Sequence, residues 1–341
     1  MSTVVVMGCD PHLDTVAVAV VDALGREVLA REVANQESGW DELAGVCARL
    51  GVARVGIEGA SGYGRCLAQR LSTEGVVVTE VPTRVTARVR RHDGAAKTDP
   101  GDARAVARAT ARGEGTVWVD SATLEQIRVL SHRRDSLVET QTREVNALRA
   151  LMAEVDPARA ARTPRLRSVA AFERLARVEY DGDPHRETVG LLIRQTAADC
   201  ARRFDQIKQI THLLGKVMPP VGKALMRLEG IGVVTACQIL AEVAGSGGFS
   251  TPAKMAAWAG ISPLDASSGR QQRHRLNRGG NRRANRAVHT MITTQLRHRG
   301  EAADYIGRRI QEGKTQREAI RAAKRHAIRR IWKTLRNHGL T

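Results

Sequence analysis

Three short apolar runs open the chain almost back to back: Thr3 to Cys9, Thr15 to Val21, and Arg26 to Val33 after a turn at Ala23-Leu24-Gly25. Runs this short, with so little chain between them, are expected to pair as neighbouring antiparallel strands. The rhythm then changes. A helical stretch from Trp40 to Leu50 leads to a strand at Ala53 to Ile57, and a helix near Gly64 to Glu74 leads to a strand at Val76 to Val81. A further helix follows Pro82. Strands separated by helices pair in parallel, so an α/β domain with a mixed sheet is predicted.

The order β-β-β-α-β-α-β-α is that of an RNase H-like fold, and four acids fall where such a fold would gather them. Asp10 stands at the end of the first strand and Glu58 at the end of the fourth. Asp99 and Asp102 sit in Lys97-Thr98-Asp99-Pro100-Gly101-Asp102-Ala103, where a helix begins. Proline suits the first helical position, which makes Asp99 the expected N-cap. Asp102, three residues on, shares its helix face. Mg²⁺ prefers hard oxygen ligands, and a pair of such ions stabilises both oxygens of an in-line phosphoryl displacement. Each acid also has a plainer reading, as a turn residue, a surface acid or a helix cap. Asp14 and Asp93 are spare acids nearby.

The formal charge is +18, and its distribution matters more than its total. From Arg270 onward there are 20 Lys and Arg against 4 Asp and Glu. Such repulsion within one folded segment costs stability unless phosphates neutralise it, which points to a nucleic-acid partner. Aromatic residues, at 3%, are too few for base stacking to be the main grip. The five cysteines, Cys9, Cys47, Cys66, Cys200 and Cys237, show no metal-ligand spacing. Reduced thiols and a cytoplasmic location are expected. No apolar run reaches the roughly 18 residues that span a bilayer, so no membrane partner is expected.

Between the α/β part and the basic part, two stretches carry helical apolar periodicity, Ser121 to Val155 and Val189 to Val217. Asp156-Pro157 and Pro164 break the chain between them, and Pro219-Pro220 ends the second. They fit either a coiled-coil arm or two helices of an ordinary helical domain. The resulting division is an RNase H-like α/β domain at 1–115, a helical arm at 116–220, and a mainly α, basic C-terminal domain at 221–341.

Within that last domain, Leu228-Glu229-Gly230-Ile231-Gly232-Val233-Val234-Thr235-Ala236 has the form of a helix-hairpin-helix turn. Gly230 and Gly232 would let the backbone bend and leave amides free for phosphate; a plain helix–helix corner fits equally. Further on stands Ala266-Ser267-Ser268-Gly269. A serine beside a glycine is by itself loop chemistry. Here Arg270, Arg273, Arg275, Arg278, Arg282, Arg283 and Arg286 follow at once, with Gly279-Gly280-Asn281 among them. A serine attacking a phosphodiester needs such cations, and arginine binds phosphate oxygens in a fork. Lys314 to Arg336 reads as a basic helix along a nucleic-acid backbone.

These motifs, in this order, resemble the DEDD-type insertion-sequence transposases, the group that includes the Piv invertases. The resemblance spans nearly the whole chain. It rests on Gly8-Cys9-Asp10, Ile57-Glu58, the Lys97–Ala103 motif, Gly230-Ile231-Gly232, Ala257-Trp258-Ala259-Gly260-Ile261-Ser262-Pro263, Ser268-Gly269 and Arg278-Gly279-Gly280-Asn281. It implies that the domain at 1–115 is RuvC-like and catalytic, and that Asp10, Glu58, Asp99 and Asp102 bind Mg²⁺, or Mn²⁺ in its place. It also implies that Ser268, with Ser267 beside it as the fallback, attacks DNA to form a phosphoserine link. A helical arm for oligomerisation, as a homodimer or tetramer, is implied too. So is a structured guide RNA, a bridge RNA that pairs with donor and target DNA. The expected setting is a bacterial nucleoid. The family's Ser-Gly-Lys stretch departs here to Ser268-Gly269-Arg270-Gln271. Two other readings stand beside a recombinase: an RuvC-like structure-specific nuclease that cleaves with water, and a non-catalytic nucleic-acid-binding protein whose acids are structural.

Overall fold

The computed structural model describes residues 5–94, 96–118, 120–163, 166–244, 248–262, 264–265, 274–275 and 280–340. It divides into two compact units, residues 1–125 with 239–341, and residues 126–238.

The first unit opens with β1 (Val6–Pro11), β2 (Thr15–Val21) and β3 (Glu27–Ala34). There follow α1 (Glu37–Leu50), β4 (Arg54–Ile57), α2 (Arg65–Thr73), β5 (Val77–Glu80), α3 (Thr83–His92), α4 (Asp99–Ala111) and β6 (Thr116–Val117). The sheet order is β3-β2-β1-β4-β5-β6. β1 pairs antiparallel with β2 and parallel with β4, and β4 pairs parallel with β5. This is an RNase H-like α/β arrangement, with β6 added antiparallel at the far edge. The first strand, Val6 to Pro11, ends two residues beyond the expected Cys9, because Asp10 and Pro11 still pair with Ala17 and Val16.

Side chains alternate across a strand, and β1 is buried on both faces. Met7 and Cys9 join Val16, Val18, Val20, Val55 and Ile57 in a core closed by Leu43 and Val46 of α1 and Leu67 and Leu71 of α2. Val6 packs instead with Ala107 of α4, and Gly8 and Asp10 share its parity. A Cβ on Gly8 would overlap the backbone of Ala103 and Ala107, and one on Gly56 would overlap Thr110. Two glycines therefore let α4 lie directly on β1 and β4. The start of α4 is thereby fixed near the end of β1.

The second unit holds most of α5 (Ala122–Val155), then α6 (Pro157–Arg162), α7 (Val169–Ala176), α8 (Pro184–Lys216), α9 (Pro220–Met226) and the start of α10 (Val233–Ala244). α5 and α8 run antiparallel. Arg186 donates to the Val155 carbonyl at 2.9 Å, Gln141 to that of Cys200 at 3.2 Å, and Arg134 to the Thr211 hydroxyl at 2.9 Å. Phe172 and Leu175 of α7 pack with Leu148 and Met152 of α5 and with Ile193 and Ala197 of α8. Burying a side chain of Phe172's size is worth about 1.5–3 kcal/mol. α8 starts five residues before the expected Val189, because Asp183 caps the amides of His185 and Arg186 and Pro184 takes the first turn.

The first unit resumes within α10 at Ile239 and continues with α11 (Pro252–Trp258), β7 (Leu264–Asp265), β8 (His274–Arg275), α12 (Arg282–Arg297), α13 (Glu301–Gln311) and α14 (Gln316–Arg336). β7 and β8 pair antiparallel. Val288 and Met291 of α12, Ile306 of α13 and Ile328 and Ile331 of α14 are buried. A capping box between Thr315 and Glu318 starts α14. Among the described residues no helix is long and apolar enough to cross a membrane.

Candidate active site

Parallel pairing aligns Cys9 with Ile57 and Ile57 with Glu80, so β1, β4 and β5 end along one edge of the sheet. Open α/β sheets bind ligands at such strand ends. The Glu58 amide donates to the Cys9 carbonyl at 3.0 Å, which sets Glu58 beside Asp10. Asp10 and Asp102 are each 9% exposed, whereas Asp99 is open to solvent.

The Asp10 carboxyl is raised to about 6, first by burial and next by the Glu58 carboxylate. Asp102 and Asp99 push it the same way, and His12 opposes them. One carboxyl thus feels the other three acids. The chain brings all four into one electrostatic neighbourhood, and nitrogen-bearing side chains already partner part of it. His12 Nε2 stands 3.4 Å from Asp10 Oδ2 and 3.4 Å from Asp99 Oδ1. Arg90 of α3 forms an ion pair with Asp102, both side chains being largely buried.

The N-cap of α4 is Thr98 and not Asp99. The Thr98 hydroxyl accepts from the Gly101 amide at 3.2 Å, and Asp99 and Pro100 occupy the first turn. Pro100 tolerates the second position as well as the first, because neither amide has an intrahelical partner. Freed from capping, the Asp99 carboxylate faces His12. Of the spare acids, Asp93 is tied to Arg108 at 2.7 Å, and Asp14 is exposed.

Three residues of this site escaped the sequence reading. His12 follows Asp10 by two positions, a spacing that puts both on one side of an extended chain and was available as a signal. Arg90 lies in a helix rich in arginine and carried none. Glu80 ends β5, is 9% exposed, and accepts hydrogen bonds from the Gly59 and Ser61 amides at 3.1 and 3.2 Å. Burial raises its carboxyl to about 7 despite those bonds.

Asp10, His12 and Asp99 each offer one donor atom, and the three lie within 4.8 Å of one another. Hard carboxylate oxygens suit a divalent ion of the Mg²⁺ or Mn²⁺ kind, and an imidazole nitrogen among them favours a transition-metal ion.

Of the remaining expected residues, Gly230 has φ 82° and is required for its bend. Gly232 is not among the positive-φ glycines, and a Cβ there would meet open space, so the turn bends at one glycine rather than two. Arg282 and Arg286 are exposed on the first turns of α12. Arg283 Nε lies 2.7 Å from Glu242 Oε1, so its charge is matched within the protein. Ser267, Ser268, Arg270, Arg273 and Arg278 lie outside the described residues, as does the side chain of Arg275.

The chain flanking that segment is closely held. Asn281 caps α12, donates to Glu242 Oε2 at 2.6 Å, and its amide meets the Trp258 carbonyl at 2.7 Å. A Cβ on Gly280 would overlap the backbone of Gly260. Asn285 donates to the Ala259 carbonyl and accepts from Lys324, both at 2.8 Å, and Arg325 donates to the Ser262 hydroxyl at 3.2 Å. Two sequence motifs nearly twenty residues apart, at Trp258–Gly260 and Gly280–Asn281, are thus one structural joint.

An RNase H-like sheet with clustered acids at its strand ends defines the class. Two family profiles make it more specific. The DEDD profile of IS110 type, described as "Transposase", matches residues 7–157, and that of the "Transposase IS116/IS110/IS902 family" matches residues 222–307. Together they take in more than two thirds of the chain, which belongs to the IS110 family of transposases.

The chain is similar to the "Insertion element IS110 uncharacterized 43.6 kDa protein" of Streptomyces coelicolor, 26% identical over 157 residues, which is 45% of this chain and 39% of that protein. It is also similar to the "Insertion element IS900 uncharacterized 42 kDa protein" of Mycobacterium paratuberculosis, 27% identical over 118 residues, 34% of this chain and 30% of that one. The matches span well under half the length of these curated relatives. Among solved structures, T. thermophilus RuvC in complex with Holliday junction substrate aligns at 17% identity and a TM-score of 0.27, covering 33% of this chain and 98% of RuvC.

Proposed function

We propose that this protein is a DNA transposase or site-specific recombinase that cuts and rejoins strands with the acids Asp10, Glu58, Asp99 and Asp102 and the serine Ser268. The observation that carries the reading is the cluster of acids at the strand ends, where Asp10 and Asp102 are nearly buried, Glu58 is set beside Asp10 and the Asp10 and Asp99 carboxylates lie within 4.8 Å of each other. Burying mutually repelling carboxylates costs stability, and a bound divalent cation removes that cost. Family membership supplies the DNA substrate.

Asp10, Glu58, Asp99 and Asp102 would hold Mg²⁺, with Mn²⁺ able to replace it. When bound, the ions supply charge to the attacking and leaving oxygens of the scissile phosphate. The remaining chemistry falls to the chain. Ser268 Oγ attacks phosphorus, the Oγ–P bond forms as the P–O bond to one strand end breaks, and the serine proton ends on the departing hydroxyl. The phosphoserine link stores the bond, so a hydroxyl from another strand reverses the step and restores serine. Arg270, Arg273, Arg275, Arg278, Arg282 and Arg286 would neutralise phosphates around it. The joint at Glu242, Asn281 and Asn285 would anchor the chain that follows the serine segment. A structured guide RNA would occupy part of the basic surface through shape and phosphate contacts. The α5–α8 arm would join subunits into a dimer or tetramer, and the work would be done on nucleoid DNA in the bacterial cytoplasm.

The test is a recombination assay on the element's own flanking DNA. Asp10→Asn and Ser268→Ala should each abolish product while leaving nucleic-acid binding intact. Near-normal product from Ser268→Ala with Ser267 also removed defeats the serine chemistry. Sequencing the RNA that copurifies with the protein tests the guide.

A further inference from the structure

We infer that His12 is a direct ligand of the divalent ion held by Asp10 and Asp99, and that its imidazole gives this centre a preference for Mn²⁺ over Mg²⁺. The inference rests on the metal-centre reading above and adds a nitrogen donor to an otherwise all-oxygen set.

Three observations carry it. His12 Nε2 is equidistant, at 3.4 Å, from Asp10 Oδ2 and Asp99 Oδ1. Ligand atoms on one small divalent ion lie about 3 Å apart, so His12 Nε2 already stands near that spacing from each carboxylate, and all three donor atoms lie within 4.8 Å of one another. His12 is also fixed where it stands. Its amide donates to the Thr15 carbonyl at 2.7 Å, and its carbonyl accepts from Asn35 Nδ2 at 2.7 Å. Asn35 itself bonds the Tyr63 carbonyl and receives the Trp40 indole at 2.9 Å, so the clamp is braced from α1 and from the turn before α2. Finally, the two acids approach from different elements, β1 and α4, and His12 is the side chain that bridges them. Its 47% exposure leaves its place in the core light, so substitution leaves the fold intact.

The chemistry decides the consequence. Imidazole is a ligand for Mn²⁺, Zn²⁺ and similar ions, whereas Mg²⁺ takes oxygen almost alone. An all-carboxylate site would discriminate less between the two.

The experiment is pulsed electron paramagnetic resonance of the full-length protein loaded with Mn²⁺, together with Mn²⁺ and Mg²⁺ affinities by titration. Wild type should show ¹⁴N coupling to the bound Mn²⁺. His12→Asn should still bind Mn²⁺ but lose that coupling, and its preference for Mn²⁺ over Mg²⁺ should fall about tenfold. Asp10→Asn should lose both the ion and the coupling. Mn²⁺ bound by wild type without ¹⁴N coupling overturns the role of His12 and leaves the acid centre standing. Coupling that persists in His12→Asn or in Asp10→Asn overturns it as well, since the nitrogen then belongs elsewhere. Failure of wild type to bind Mn²⁺ at all defeats the metal centre and this inference together.

Discussion

Glu80 Oε1 accepts the amide proton of Gly59 at 3.1 Å, so the end of β5 holds the turn that presents Glu58. Oε2 takes the Ser61 amide at 3.2 Å in the same turn. Removing the carboxylate takes the acceptor from two part-buried amides, at a net cost of about 0.5–1.5 kcal/mol each. Glu80→Ala should therefore melt several degrees lower and bind Mn²⁺ more weakly, with Glu80→Gln intermediate because one acceptor survives. Thermal denaturation and metal titration check this. Wild-type values for both variants would show the clasp to be idle.

A second prediction concerns pH. Asp10 at about 6 and Glu80 at about 7 both stand above their ordinary values of 3.8 and 4.5. A carboxyl raised by folding contributes stability that is fully present below its unfolded value and lost as pH rises through its folded one. Metal-free protein should thus weaken progressively between about pH 4 and pH 7. Asp10→Asn removes one of the two contributions. In metal-free buffer it should exceed wild type at pH 8 by roughly 1–3 kcal/mol and match it at pH 4. Equal stability at pH 8 would contradict the buried-repulsion account.

What was legible in the sequence follows from how far each signal reaches. The antiparallel start and the helix–strand alternation are local, and β2 spans Thr15–Val21 as expected. The acids at strand ends were legible because chain position and chemistry agreed. Asp99 was misplaced because Thr98 and Asp99 are both good caps and Pro100 fits either register. Glu80 and Arg90 were missed for another reason. Their partners, the 59–61 turn and Asp102, lie about twenty and twelve residues away, and only the parallel register of β4 with β5 and the packing of α3 on α4 bring them together. The close approach at Gly8 and Gly56 is likewise a property of two elements meeting.

The joint that holds Asn281 and Arg283 gives a third test. Glu242 holds Asn281 and Arg283 at 2.6 and 2.7 Å. Removing one partner of a largely buried ion pair costs about 3–5 kcal/mol. Glu242→Ala should lower the melting temperature and strand-transfer yield while leaving Mn²⁺ affinity at the acid cluster within twofold. An unchanged strand-transfer yield would detach this joint from the chemistry.

Exposed Arg282 and paired Arg283 should part company in salt titrations. Each phosphate contact adds about 0.9 to the slope of log affinity against log salt. Arg282→Gln should reduce that slope by about one contact. Arg283→Gln should leave the slope unchanged and act on stability instead. Equal losses of slope would place both side chains on the phosphates.

The central claim is that acids from the N-terminal α/β domain and a serine from the C-terminal segment act on one phosphate. Its most direct measurement is mass spectrometry of the protein after reaction with donor DNA and Mg²⁺. The account predicts a nucleotide adduct on the peptide carrying Ser267 and Ser268, present in wild type and absent from Asp10→Asn and Ser268→Ala. Cut DNA with free 3′ and 5′ ends and no adduct on any serine would contradict it and leave a water-using nuclease.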